Sequence, residues 1–250
     1  MEVHHHSHAH GKKNWRSYVW EFLMLFLAVF CGFLAEYQLE HVIEHQREKV
    51  YVKSMIEDAE TDRINIKKAV TDNNRRILHL DTLANLCADY HSDQRDDSSI
   101  YWHYLYGLFH PAVISPTERT IQQLKNAGEM RLIREKTVTD SIILYDDMAK
   151  KLADQRAYYE LYQNNSVKLA AQLFNFKKFG FGVSANVPMD SILKKGYFRL
   201  ISNDKARLME FANLIFVYEG VVQYYNDLLE MMDRHAYYLI QTLKKEYHIK

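Results

Sequence analysis

The strongest pattern along the chain is an unbroken apolar run. From residue 22 to 35 no charged or hydrogen-bonding side chain occurs, and the wider stretch "SYVWEFLMLFLAVFCGFLAEY" occupies residues 17–37. About 20 residues of helix reach roughly 30 Å, the thickness of a bilayer core. The pattern predicts a transmembrane helix, flanked by Trp15, Tyr18 and Trp20 on one side and Tyr37 on the other, where amphipathic rings suit the interface. Glu21 then falls near the headgroups. A cleaved signal peptide competes with this reading, but the small-residue cleavage pattern is poor and the helical periodicity continues through residues 40–52. A retained anchor is therefore expected.

Beyond the run, apolar positions recur at alternating steps of three and four. Ile56, Ala59, Ile66, Val70, Ile77, Leu80, Ala84 and Cys87 form one such series, with Arg63 and Asn73 on its polar steps. The helix is expected to continue as a stalk and then a bundle element. "HSDQRDDSS" reads as a polar loop before the aromatic stretch "IYWHYLYGLFHP". "SPTE" at residues 115–118 has the form of a capping box with proline at the first helical position, so a helix is expected to open there and to close at Gly128. A long helix is predicted over about 137–174, a short one from about Met189 to Gly196, and a last one through Leu208, Phe211, Ile215, Tyr218, Val222, Tyr225, Leu229, Met232, Ala236, Leu239 and Leu243. That last series is a bundle seam.

One phrase is written twice. "LKNAGEMRLI" (124–133) and "LKKGYFRLI" (193–201) share Leu-Lys, a glycine and then Arg-Leu-Ile, each ahead of a long helical pattern. A glycine that ends a short helix and a Leu/Ile pair that pins the turn to the core would make each copy a corner. A functional variant has Arg131 and Arg199 clamping one anionic ligand.

The expected fold class is all-α: an N-terminal transmembrane helix continuing into an elongated antiparallel helical bundle with two glycine corners. The expected organisation is a His-rich basic tail (1–16), the span (17–37), a stalk and first bundle helix (38–92) and the rest of the bundle (93–250). Only 8 Gly and 3 Pro among 250 residues suit long helices. The 32 basic residues match the 32 acidic ones, so no nucleic-acid partner is expected. Lys12, Lys13 and Arg16 precede the span while Glu36, Glu40 and Glu44 follow it, which places the N-terminus in the cytoplasm and the C-terminal part outside. Ala28, Gly32 and Ala35 are small residues at helical spacing and would let two spans approach closely. Two cysteines, one of them inside the apolar run, offer no intramolecular disulfide framework.

Candidate chemistry is sparse. "HVIEH" places His41 and His45 on one helical face with Glu44 beside them, the HxxEH spacing of inverted zinc peptidases, though a third ligand and a cleft are also needed. His4, His5, His6, His8 and His10 form a second cluster able to bind Zn, Cu or Ni weakly. "FNFKKFGFG" (174–182) reads as a plug for the end of the bundle, with a membrane-surface or base-stacking role as the alternative. No P-loop, dinucleotide fingerprint, GxSxG elbow, paired CxxC or pair of ExxH motifs occurs. No cofactor is expected.

At "TIQQLKNAGEMRLIREKTVTDSIILYDDM" the chain resembles a family of bacterial single-span membrane proteins known as a domain of unknown function. The resemblance rests on Leu124, Gly128, Leu132, Ile133 and Tyr145, following an apolar helix and a charged stalk, and it departs at the His-rich N-terminus. It implies a helical protein of the bacterial envelope and carries no catalytic residues; with the single span, the expected location is the inner membrane. The functional expectation is a membrane-anchored scaffold or accessory subunit, touching lipid and a protein partner or itself, without catalysis. A sensor, effector or oligomeric pore whose helix packing responds to a ligand or metal is the second reading, and a zinc metallopeptidase the third.

Overall fold

The computed structural model describes residues 14–91, 96–109, 111–179 and 198–249. Among these residues all regular structure is helical: α1 (Trp15–Ala88), α2 (Ser98–Leu108), α3 (Arg119–Asn126), a 3₁₀ turn (Glu129–Leu132), α4 (Lys136–Leu173), α5 (Phe176–Phe179) and α6 (Lys205–Glu246). The chain is all-α, as its poverty in helix breakers requires. The tail histidines and the short helix expected up to Gly196 lie outside the described residues.

The chain divides into two compact units, Met1–Val50 and Tyr51–Lys250. In the first, α1 carries one window long and apolar enough to cross a membrane, and none of that window is buried. Phe22, Leu25 and Phe33 each expose about two thirds of their surface. Large side chains that shun water on every face of one helix suit lipid.

The second unit is an up-down-up-down bundle in which one leg is broken. Residues 51–88 of α1 form the first leg. The return leg is α2, an extended stretch over 109–118, α3 and the 3₁₀ turn. Its antiparallel course is fixed by pairings that step down one leg as they climb the other: Arg76 with Gly107, Asn73 with Ala112, Asp62 with Thr117, Asp58 with Thr120. The third leg, α4, runs parallel to α1, with Tyr145 near Asp62 and Tyr159 near Arg76. The fourth, α6, runs back, with Tyr218 near Arg76, Asp233 near Arg63 and Lys244 near Glu60. Every residue of the seam predicted on α6 is buried, and so is the face Val138, Ile142, Tyr145, Ala149, Leu152, Tyr159, Ala170 and Leu173 of α4. Burial of each such large side chain stabilises the fold by about 1.5–3 kcal/mol.

The broken leg raises the question of where its backbone hydrogen bonds go. Side chains of the other legs answer it. Gln163 donates to the carbonyl of Leu108 at 2.8 Å, Asn73 donates to that of Ala112 at 3.1 Å, and the Ile114 amide donates to Tyr225 Oη at 3.1 Å. The Thr117 amide donates to Asp62.

Here one expectation is corrected. Helix α3 opens at Arg119, not within residues 115–118, and its N-cap Glu118 makes no side-chain cap bond. The cap comes instead from α1. Asp58 accepts from the Thr120 amide at 3.2 Å and its hydroxyl at 2.5 Å, and Asp62 accepts from the Thr117 amide, the Thr117 hydroxyl and Tyr145 Oη. A carboxylate at a helix N-terminus satisfies orphan amides whichever part of the chain supplies it. Asp62 is fully buried whereas Arg63, the residue assigned to that polar step, lies half-buried against Asp233 and the Tyr237 ring.

The first corner is as expected. Gly128 sits at φ +65°, the left-handed region, with Leu124, Leu132 and Ile133 buried around it. The second copy differs in its described residues. Phe198 is the buried pin while Ile201 is 61% exposed. The Asp97 amide donates to the Phe198 carbonyl and the Ile201 amide to the Leu173 carbonyl, and the carboxylates of Asp96 and Asp97 accept from the Phe198 and Leu200 amides, so main chain and side chains together hold these residues. Of the segment expected to plug the bundle end, the described side chains Phe174 and Phe176 do so: Phe174 packs on Tyr101, Tyr104 and Phe211 and Phe176 on Tyr104, with Phe198 on Tyr101, while residues 180–182 lie outside the described residues.

Candidate functional site

A polar node lies in the middle of the bundle. Asn73 and Arg76 stand one turn apart on the inward face of α1 and both are buried. Arg76 donates to the Gly107 carbonyl from Nε at 3.1 Å and Nη2 at 2.8 Å, to Tyr159 Oη at 2.6 Å and to Tyr218 Oη at 2.9 Å. Tyr159 Oη donates to Asn73 at 3.3 Å, Asn73 donates to Asn226 at 3.0 Å, and Asn226 donates to Asn74 at 2.9 Å. The node therefore touches all four legs. Close approach of α2 makes it possible: a Cβ on Gly107 would stand 3.1 Å from Leu80 Cδ2.

Burial pushes the Tyr159 and Tyr218 phenols above their ordinary value, and Arg76 partly opposes this. Both stay neutral and serve as hydrogen-bonding groups. Such a network, satisfied across several helices, fixes register. It contains no activated nucleophile.

Beside the node a cleft of about 410 Å³ is lined by Asp72, Arg75, Arg76, His79, Leu105, Tyr106 and Phe109. His79 on α1 faces His103 on α2, Nδ1 to Nδ1 at 3.1 Å, and Tyr106 stacks on His79 with ring centroids 5.3 Å apart. Burial lowers the basicity of both imidazoles, and for His103 the neighbouring His79 lowers it further.

At the far end of the bundle, Asp97 accepts from the Leu200 amide at 2.8 Å, and Arg199 Nε lies 3.7 Å from the same carboxylate. Tyr90 Oη donates to it at 3.4 Å. Arg199 thus supports its own corner.

Helix α6 carries a second apolar stripe besides its buried seam. Val217, Tyr224, Met231 and Tyr238 recur every seven residues and are 46%, 53%, 39% and 63% exposed. Between them lie Val221, half-buried, and Leu228, buried. The stripe is about 32 Å long at 1.5 Å per residue. A seven-residue apolar repeat that no other element among the described residues covers has the form of a coiled-coil seam.

The residues singled out in the sequence are scattered. His41 packs edge-on against Tyr37, and His45 Nδ1 lies 3.1 Å from Glu48, within the first unit. No group of three or more His, Cys, Asp or Glu among the described residues is arranged to hold a metal ion, so the third ligand a peptidase needs does not join His41 and His45. Gly32 faces open space, with nothing near an added Cβ, and Ala28 and Ala35 are exposed on the same helix.

Arg131 and Arg199 are not brought together. Arg131 lies in the 3₁₀ turn, whose Glu129 accepts from Tyr51 at the start of the bundle part of α1, and Arg199 sits with Asp97 and Tyr90 just past the end of α1. Nearly forty helical residues separate these places, about 55 Å, so one small anion cannot reach both. The clamp is overturned. The two copies, the second described only from Phe198 to Ile201, lie at opposite ends of the bundle.

Several residues escaped sequence reading altogether: Asp58, Asp62, Arg76, His79, His103 and Asp97. A polar residue on an inward step is the signal such groups leave in a sequence, and the three-four rhythm exposes it only at Asn73. Compared with known proteins, this chain matches no family model, no curated protein and no solved structure.

Proposed function

We propose that this protein is a membrane-anchored helical scaffold or accessory subunit that works by protein–protein contact, performs no chemistry of its own, and associates first with further copies of itself. The observation that carries this reading is the exposed seven-residue stripe Val217, Tyr224, Met231 and Tyr238 on α6. Identical helices share one spacing, so a second copy laid in register meets apolar side chain with apolar side chain at Val217, Tyr224, Met231 and Tyr238, with His235 the one polar residue on the intervening steps. Tethering in one bilayer raises the local concentration of copies and favours that pairing. The exposed apolar window of α1 supports the anchor, and the basic residues before it favour a cytoplasmic N-terminus with the bundle outside, in a bacterial inner membrane.

The test is sedimentation in detergent of the full chain and of the double variant Tyr224→Glu with Met231→Glu. The wild type should sediment as a dimer or larger and the variant as a monomer of unchanged helicity. A wild type that stays monomeric at every concentration, or a variant that still self-associates, ends the self-association reading. A protein that leaves the membrane fraction in alkaline carbonate ends the anchor.

A further inference from the structure

We infer that His79 and His103 form a two-imidazole site for a zinc-class divalent cation, one that joins α2 to α1 beside the cleft. The separation of their Nδ1 atoms, 3.1 Å, carries the argument. In the metal-free protein one Nδ1–H can occupy the space between the two lone pairs, as a single hydrogen bond between complementary tautomers. A cation bonded to both nitrogens at about 2.0–2.1 Å would subtend an angle of about 98° at that separation, and opening the pair by about 0.3 Å gives a tetrahedral angle. The rings are inclined at 53°, so two lone pairs can converge without the rings stacking.

The surroundings fit such a site. His79 stands on a helix whose neighbouring residues Asn73, Arg76 and Leu80 are locked into the bundle, and His103 stands one turn before Gly107 on a helix pressed against it. Neither imidazole needs to be built from a mobile segment. Both are half-buried, and His79 lines the open cleft, so water or a carboxylate from another molecule can complete the coordination. Imidazole nitrogens select zinc, copper or nickel over magnesium and calcium. With two protein ligands the site is of modest affinity, and among the described residues no third ligand completes it.

The experiment is equilibrium dialysis against zinc of the full chain in detergent, in a background where His4, His5, His6, His8, His10, His41 and His45 are all changed to Asn. One zinc per chain is expected, with affinity falling at least about tenfold in His79→Asn and likewise in His103→Asn, since even the partners that only orient a metal ligand are worth about that much. The absence of stoichiometric binding in the background, or retention of full affinity in either folded variant, would falsify the site. If either variant loses its helical circular dichroism, X-ray absorption of zinc on the unaltered pair decides the matter. Two imidazole nitrogens in the shell support the site, and fewer than two overturn it.

Discussion

Arg76 of α1 and Tyr159 of α4 meet through a 2.6 Å hydrogen bond in the middle of the bundle, and the same guanidinium reaches the Gly107 carbonyl and Tyr218 Oη. Its planar fork spreads four donations over three legs, one more than the three N–H groups of a compact ammonium can make. Replacing Arg76 by Met leaves a carbonyl and two hydroxyls without their donor. Unfolding in denaturant should show a loss of about 3 kcal/mol, and Arg76→Lys should recover only part of it.

Asp62 accepts from two groups of Thr117 and from Tyr145. Asp62→Asn turns an amide nitrogen toward those donors, and about 2–3 kcal/mol of stability should disappear. Hydrogen exchange distinguishes this from a general loosening. Amides over residues 117–122 should lose protection before those of α4.

Gly128 tests the first corner. Its φ of +65° disfavours any residue with a Cβ, yet nothing stands within 4 Å of where that carbon would go. Gly128→Ala should therefore cost about 1–2 kcal/mol from backbone conformation alone, and Gly128→Asn should cost less because asparagine tolerates the left-handed region. Equal losses from both variants would contradict this account.

Two cysteines give a chemical prediction. Cys87 is buried, and burial pushes its thiol up to about 12, with the Asp97 carboxylate adding to the effect. The thiolate is the reactive form, so Cys87 should resist maleimide in the folded protein and react once denaturant opens the bundle. Labelling of Cys87 thus reports unfolding, not membrane topology.

Glu219 gives a pH dependence. Burial raises its carboxyl pKa and nearby Asp81 raises it further, while Oε2 finds no hydrogen-bond partner among the described residues. The folded state then binds this proton more tightly than the unfolded state does. Stability consequently falls as pH rises from below the ordinary value of 4.5 through the raised folded value. Glu219→Gln removes that penalty. Its melting temperature should exceed the wild type's at neutral pH and match it in acid.

The long helices were legible because each buries one face along its whole length. Periodicity reports such a face directly, and α4 and α6 begin and end within a few residues of where the pattern places them. Gly128 was legible for a local reason, since left-handed backbone selects glycine. The break in the second leg was not legible. Its stability depends on Asp58, Asp62, Asn73, Gln163 and Tyr225, which meet it from outside, and Thr117 lies 55 positions from Asp62. A local reading therefore assigned the cap to Ser115–Glu118, where a suitable hydroxyl and carboxylate stood close in sequence. The Arg131–Arg199 pairing failed similarly, because likeness of letters carries no information about distance. The stripe on α6 was masked by the stronger seam beside it.

Helix α3 has eight residues, too few to hold together in water without help. Since Asp58 and Asp62 supply its opening turn, it gains order only after that part of α1 has become helical. During synthesis the chain emerges with α1 first, so the mould exists before the piece it shapes.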